Sequence, residues 1–547
     1  MTTLHLVASL TAALAATTAA ATADASPRRF HVDAHRAGSL VTARACDGAA
    51  AGTARCHVHV VTTADGTAIT AATPQGYGAT DLERAYAIAP AAQQAGVIAI
   101  VDAYGYKDLA SDLAQYRAQY GLPACTVASG CLTIVNQEGA TSPLPKEPPS
   151  TTEDWTIETA LDVDMASAGC PTCKIVVVQA DDSSANLFYA LAESGVAKPT
   201  VVSNSWGFVE TGLSPLSAAE QDVQAAGAAV FASTGDSGYD TGNTGPWYPS
   251  TSAYAIAVGG TVLAADGSSR GFSEVAWPMA GSSCSAGVAR LASASAAATA
   301  ACAMRAAADI SAVAGDPGLA IYNKGAWLTV EGTSASTPLV AAMFAGAGLG
   351  AATPDSIPGL AGALVDITSG TNGSCGNALC KAAAGWDGPT GYGTPNAAAL
   401  ATAGSGGGGD ESVNVVSPQQ GDTVQPGFVI TLDVTGDLDV VVGLDGAQIG
   451  ETATAPYTFA SPAEVTLGAH ELEVVATDAA GGSGSLAVEF TVAAAAGGGG
   501  GGGGGDSSDD GGGVTAGCNA GGAGGAAPLA LVMLAVAIAR RRGSAAA

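Results

Sequence analysis

Gly332-Thr333-Ser334-Ala335-Ser336-Thr337-Pro338 is a tight turn running into an apolar helix start, Leu339 to Ala345, with a hydroxyl where the two meet. A helix N-terminus offers free N–H groups and the positive end of a dipole. Gly332 permits close backbone approach. A serine or threonine there also serves as an ordinary N-cap. As a nucleophile, Ser334 needs a base to take its proton. No histidine stands between His59 and His470, so the base is sought among carboxylates, and Glu158 and Asp162 are the candidates.

Glu158 and Asp162 lie within Trp155-Thr156-Ile157-Glu158-Thr159-Ala160-Leu161-Asp162-Val163-Asp164-Met165. In a helix, i and i+4 share a face, and Leu161 and Met165 turn to a sheet. Two nearby carboxylates resist double ionisation and share a proton. Such a pair accepts a serine proton in mildly acidic water, where imidazole is already protonated. The same pattern also reads as a solvated acidic face. Asp164 is offset and points elsewhere. Gly235-Asp236-Ser237-Gly238 follows a strand pattern, which puts Asp236 at the C-terminal edge of a sheet, where open α/β folds place ligands. A protonated Asp236 can donate to a developing oxyanion together with the Ser334 N–H; an Asx turn is the other reading. Ser203-Asn204-Ser205-Trp206-Gly207 either lines a peptide-binding edge or buries Trp206 in the core. Asp102 ends a strand pattern but has no histidine to orient, and is read as structural.

Around these motifs the chain alternates strand and helix signals. Residues 97–102, 174–178, 199–203 and 228–232 are buried-strand runs. Residues 108–120, 184–193 and 217–226 are helical. This is α/β with a parallel sheet, assigned to residues 74–402 after a short leader or pro-segment, 26–73. A linker (403–410) follows. Residues 411–493 then alternate as strands, with Phe428, Ile430, Leu432 and Val434 on one face, and are expected to form a small all-β, immunoglobulin-like sandwich of unknown ligand. A Gly/Asp-rich linker (494–516) cannot pack.

Acidic residues number 48 against 19 basic, a formal charge of -29 over 547 residues. That excludes a phosphate-binding surface and so a nucleic-acid partner. It suits an exported protein in a salty or acidic medium. Residues 1–25 read as an export signal. Cys46/Cys56, Cys125/Cys131, Cys170/Cys173, Cys284/Cys302 and Cys375/Cys380 form sequence-local couples, with Cys518 left over. Disulfides are the expected use, although spacing does not fix pairing, and Cys170-Pro171-Thr172-Cys173 also reads as a redox or metal couplet. In the tail, 517–547, an apolar run at 528–539 precedes Arg540-Arg541-Arg542. It is short for a ~20-residue span, and marks attachment to a membrane or cell envelope, or a weak apolar helix.

Taken together, Glu158-x-x-x-Asp162, Ser203 to Gly207, Gly235 to Gly238, Gly332-Thr333-Ser334 with Pro338, Asp366-Ile367-Thr368-Ser369-Gly370 and Gly385 to Gly393 resemble the sedolisin family, the serine-carboxyl peptidases, in order and spacing over residues 74–400. The resemblance implies a subtilisin-like fold and an acid-active, monomeric endopeptidase working on peptide or protein substrates through an acyl-enzyme. It makes Ser334 the nucleophile, Glu158 its base, Asp162 the partner that tunes Glu158, and Asp236 the oxyanion donor. It also implies one calcium ion, held by the side chains of Asp366 and Asp387 and the backbone oxygens of Ile367, Ala383 and Gly385; hard oxygen ligands suit calcium. The tail is similar to myxobacterial surface-sorting segments. Two departures stand out: a leader much shorter than the family's prodomains, and Glu331 where the family has a small residue. A non-catalytic surface binding protein that keeps the fold is the alternative.

Overall fold

The computed structural model describes residues 28–30, 36–37, 40–46, 52–149, 153–210, 218–239, 246–405, 412–418, 422–435, 438–462, 464–477 and 483–494. The expected export signal, the linker beyond 494 and the tail with Cys518 lie outside them.

The strand runs read from the sequence form one sheet. Val97–Ala103 sits at its centre, flanked by Lys174–Ala180 and Val201–Asn204, all parallel. Leu132–Asn136 continues beyond 174–180, and Ala229–Ser233 then Ala255–Ala265 continue beyond 201–204, again in parallel. An antiparallel strand, Phe272–Ala276, closes that edge. The central strands are continuous Val, Ile and Ala runs buried on both faces, as a sheet covered by helices requires. Helices Leu109–Gln119, Asn186–Ser194 and Ala218–Ala225 fall where the sequence pattern placed them.

Two further helices carry the functional motifs. Trp155–Gly169 is capped by Asp154, whose side chain accepts from the Thr156 N–H. Every residue of this helix is buried. Its end lies so close to the second helix, Thr333–Gly346, that a Cβ on Gly169 would meet the Ala342 methyl and the Leu339 carbonyl at 2.7 Å. Two acids on a wholly buried helix cannot be a solvated face.

The leader joins this unit. Leu40–Arg44 pairs antiparallel with His59–Val61, which pairs antiparallel with Ala326–Glu331. Phe30, Ala43, Val58 and Val60 belong to the same apolar core as the sheet. All five cysteine couples are closed as disulfides, including Cys170–Cys173.

Residues 412–492 form the expected all-β sandwich. One sheet runs Ser412–Ser417, Val429–Thr435, Thr458–Ala460; the other contains Asp439–Leu444, Gly468–Thr477 and Ser483–Val492. Ile430, Leu432, Val440, Val442, Leu472, Val474 and Phe490 fill the space between them.

Candidate active site

Ser334 sits on the first turn of its helix because the chain reverses at Gly332 (φ +143°), a conformation that side chains disfavour. Pro338 lacks the N–H that would bond the Ser334 carbonyl four residues back. That carbonyl accepts instead from the Ser205 hydroxyl (3.4 Å), which also donates to Asp162 Oδ1 (2.8 Å). Ser205 therefore ties the nucleophile turn to the acidic helix. The Ser334 hydroxyl donates to the Ser205 carbonyl at 3.2 Å.

Glu158 and Asp162 share the helix face turned to this turn, and both are 0% exposed. Neither Glu158 oxygen has a settled hydrogen-bond partner. Burial, then the charges of Asp162 and Asp102, push the Glu158 carboxyl well above its usual range, and the Ser334 hydroxyl partly opposes this. Burial and Asp102 do the same to Asp162, against the hydrogen bonds from Ser205 and Glu158. The pair holds a proton that a solvent-exposed pair would release.

Asp102 gains a neighbourhood that the sequence reading did not foresee: strand 97–103 lies beneath the acidic helix and makes Asp102 a third carboxyl near the pair, pushed up to about 7 by burial. Sequence spacing carries no such signal, because the approach is made by strand-to-helix packing. Asp164 behaves as expected, turning away to accept from the Tyr322 N–H at 3.0 Å.

Asp236 approaches from the strand 229–233 side. Its Oδ1 accepts from the Thr333 N–H and hydroxyl, both at 2.8 Å, while Oδ2 has no hydrogen-bond partner. Burial raises this carboxyl to about 7, against the Thr333 bonds and the Arg44 charge. A neutral Asp236 carries its proton on the free Oδ2. Glu331, next to the turn, is also buried, and is raised to about 8 chiefly by burial and then by Asp316 and Asp236.

Three leader residues that the sequence reading did not place come to the same pocket. The Arg44 guanidinium donates to the Asp236 carbonyl and the Ser237 hydroxyl, each at 3.0 Å. His59 Nε2 lies 3.7 Å from Asp236 Oδ2. His57 Nδ1 lies 2.7 Å from Ser233 Oγ. Trp206 is core and edge at once: its indole donates to the Val101 carbonyl, and its backbone pairs with the leader.

Two segments that carry residues named for calcium, 366–367 and 383–387, meet through hydrogen bonds. The Gly385 N–H donates to Asp366 Oδ2 (2.8 Å) and the Ala383 N–H to Asp387 Oδ2 (3.0 Å). The left-handed backbone falls on Gly385 (φ +79°), so alanine at 383 is no obstacle. Two carboxylates and the carbonyls of a tight loop are a donor set that fits a hard cation.

Residues 156–348 match the model of the Subtilase family, Peptidase_S8. The chain is 32% identical over 357 residues to kumamolisin of Bacillus sp. (strain MN-32), covering 59% of this chain and 63% of that protein. It thus spans somewhat under two thirds of the relative's length. Two solved structures are similar: Pseudomonas sedolisin, a serine-carboxyl proteinase complexed with two molecules of pseudo-iodotyrostatin (22% identity, TM-score 0.49, 60% of this chain and 98% of that one), and a lanthipeptide protease (15%, 0.37, 61% and 99%). The α/β unit has a subtilisin-like fold.

Proposed function

We propose that this chain is a serine-carboxyl endopeptidase that hydrolyses peptide bonds of protein substrates in acid. The observation that carries the reading is a buried serine hydroxyl on a helix tied through Ser205 to the buried Glu158/Asp162 pair, with a separate buried acid, Asp236, bonded to the neighbouring Thr333.

Glu158 accepts the Ser334 proton as the hydroxyl adds to a substrate carbonyl. Asp162, held by Ser205, takes up part of the charge or the proton and keeps Glu158 oriented. The oxyanion forms between the Ser334 N–H and Asp236 Oδ2–H, donors aimed where charge develops. Loss of the Asp236 proton near pH 7 removes one of these donors, which is why the activity belongs to acid. Kumamolisin's likeness and the family match support this reading. Hydrolysis of a denatured protein between pH 3 and 7 tests it; acid-biased cleavage lost in both Ser334→Ala and Glu158→Ala is the expected result, and undiminished cleavage in Glu158→Ala removes the proposed base.

We assign a calcium ion to the side chains of Asp366 and Asp387 with the carbonyls of Ile367, Ala383 and Gly385. It would tie two loop segments together and so contribute to stability rather than to the chemical step. Chelation then lowers the thermal midpoint, by ~2–4 °C for each kcal/mol of binding free energy lost; an unchanged midpoint in a protein that carries no metal rejects the site. The acidic charge and the export signal read from the sequence support a location outside the cell or on its surface.

A further inference from the structure

The leader shows how an extended chain lies against Ser334. Arg55 and Cys56 pair antiparallel with strand Trp206–Val209, Cys56 opposite Trp206 and Arg55 opposite Gly207. The next residue, His57, donates its N–H to the Ser205 carbonyl (3.2 Å), and its own carbonyl accepts from the Ser334 N–H (3.2 Å). That N–H is the donor assigned above to the oxyanion. A substrate whose carbonyl sits there places its side chain where the His57 ring lies. Ser233 Oγ meets that ring at 2.7 Å, and Trp247 stands edge-on to it with centroids 5.2 Å apart.

Trp247 is a wall of this pocket. Its backbone pairs antiparallel with Val209, at the far end of the same strand. Its side chain is wedged between two glycines: a Cβ on Gly207 would lie 2.9 Å from the Trp247 Cβ, and one on Gly235 would lie 2.6 Å from the indole Cδ1. Gly207 belongs to the strand that binds the main chain, and Gly235 precedes Asp236. The placing of Trp247 therefore fixes the width of the pocket.

One buried residue, Glu210, grips Trp247 from both sides. Its N–H donates to the Pro246 carbonyl (2.8 Å). Its Oε2 accepts from the Thr251 hydroxyl (2.5 Å), which also lies 3.4 Å from the Trp247 carbonyl. The Thr251 N–H donates to that same carbonyl (3.2 Å), closing residues 247–251 as a turn. Oε1 serves a separate segment: it accepts from the Ser285 hydroxyl (2.6 Å) and from the N–H groups of Ala286 (2.9 Å) and Gly287 (3.0 Å). That segment begins at the Cys284–Cys302 disulfide, so the carboxyl is anchored on one side and holds the Trp247 turn on the other. A buried carboxyl with all these donors satisfied has one position, and losing any of them is costly.

We propose that Glu210 is a positioning residue: it fixes Trp247 as the wall of the side-chain pocket beside Ser334, and so sets which side chain is accepted next to the scissile bond. The proposal rests on the peptidase reading of the site. Glu210 acts through Trp247 and not on the reacting atoms, so its effect falls on the choice between substrates.

The test uses the full chain in acid, in the state that hydrolyses a denatured protein, and two peptides that differ only in the residue whose carbonyl reacts, histidine or tryptophan. The readout is the histidine-to-tryptophan ratio of kcat/KM, taken at one pH so that substrate protonation cancels between variants. Thr251→Val and Ser285→Ala each remove one hydroxyl donor from Glu210, but only Thr251 stands on the Trp247 side. The ratio should fall roughly three- to tenfold in Thr251→Val and about tenfold or more in Glu210→Ala, as the wall loosens and the larger ring enters. It should hold in Ser285→Ala, where Ala286 and Gly287 still fix the carboxyl. It should also hold in Glu210→Gln, whose amide oxygen can accept the three bonds of Oε1 while its NH₂ meets the Thr251 hydroxyl. Equal shifts in Thr251→Val and Ser285→Ala, or an unchanged ratio in Thr251→Val, overturn the proposal and leave the peptidase reading intact. Absence of any Ser334-dependent cleavage, of the peptides or of the denatured protein, ends both.

Discussion

Asp309 and Glu158 are buried acids of one α/β unit, served in opposite ways. Asp309 receives the Arg305 guanidinium on both oxygens (2.8 and 2.5 Å) and the Ala257 N–H (2.7 Å). Among the described residues, the charges that act most on Glu158 are those of other acids, Asp162 and then Asp102. A buried carboxylate paired with a guanidinium is part of the scaffold, and removing its partner leaves an uncompensated charge. A buried carboxyl among carboxyls avoids charge by keeping a proton, and a group whose proton is held so near release is suited to chemistry. The contrast separates acids that hold the fold from acids that move protons.

The comparison is tested most severely at the pocket. Ser334→Ala should reduce protein hydrolysis by roughly 10⁶-fold, and Glu158→Gln by roughly 10²–10⁴-fold, in kcat measured on matured enzyme; a Glu158→Gln enzyme near wild-type rate would place Glu158 with Asp309 instead. Asp236→Ala should cost about 10²–10³ in kcat. Asp236→Asn keeps a donor that cannot ionise, so its rate should no longer fall as pH rises through about 7, the value to which burial raises Asp236. An alkaline limb unchanged in Asp236→Asn assigns that limb to another group.

Stability should invert the ranking. Asp309→Ala strands Arg305 and should cost about 3–5 kcal/mol in denaturant unfolding. Asp102→Asn replaces a protonated acid by an amide of its own shape and should stay within about 1 kcal/mol. Protonated in acid, Asp102 carries no charge there, so Asp102→Asn should leave the acid limb of kcat/KM in place. Equal destabilisation by the two changes would erase the distinction.

The smallest effect is a slope. Asp102, Asp236 and Glu220 rise to about 7 and Glu331 to about 8, from ordinary values of 3.8 for aspartate and 4.5 for glutamate, in each case chiefly through burial. Each binds its proton more tightly folded than unfolded. The folded chain therefore holds more protons between about pH 4 and 8, and stability should decline as pH rises through that window. Asp102→Asn removes one of these groups and should make the decline shallower. Thermal midpoints measured across the window check both.

Much of this was legible in the sequence. The valine and isoleucine runs at 97–102 and 174–178 became central strands, and the i, i+4 spacing of Glu158 and Asp162 put both acids on one face of a real helix. These are local patterns, fixed by the two-residue and 3.6-residue periods of the backbone. The neighbourhood of Asp102 was not legible because its neighbours come from a helix more than fifty residues away in the chain. His57 carried no signal: its short stretch lacks a long periodic pattern, and only the edge of strand 206–209 gives it extended pairing partners.

By itself the sequence determined which segments are strands and helices, and which hydroxyl and carboxyls stand at their ends, because hydrophobic period and turn chemistry act within a few residues. Tertiary structure alone decided that a third acid joins the pair, that burial raises the Asp236 carboxyl, and that His57 lies at the nucleophile. Those outcomes depend on burial and on charges brought together from distant parts of the chain, and in a low-dielectric interior such distances set protonation.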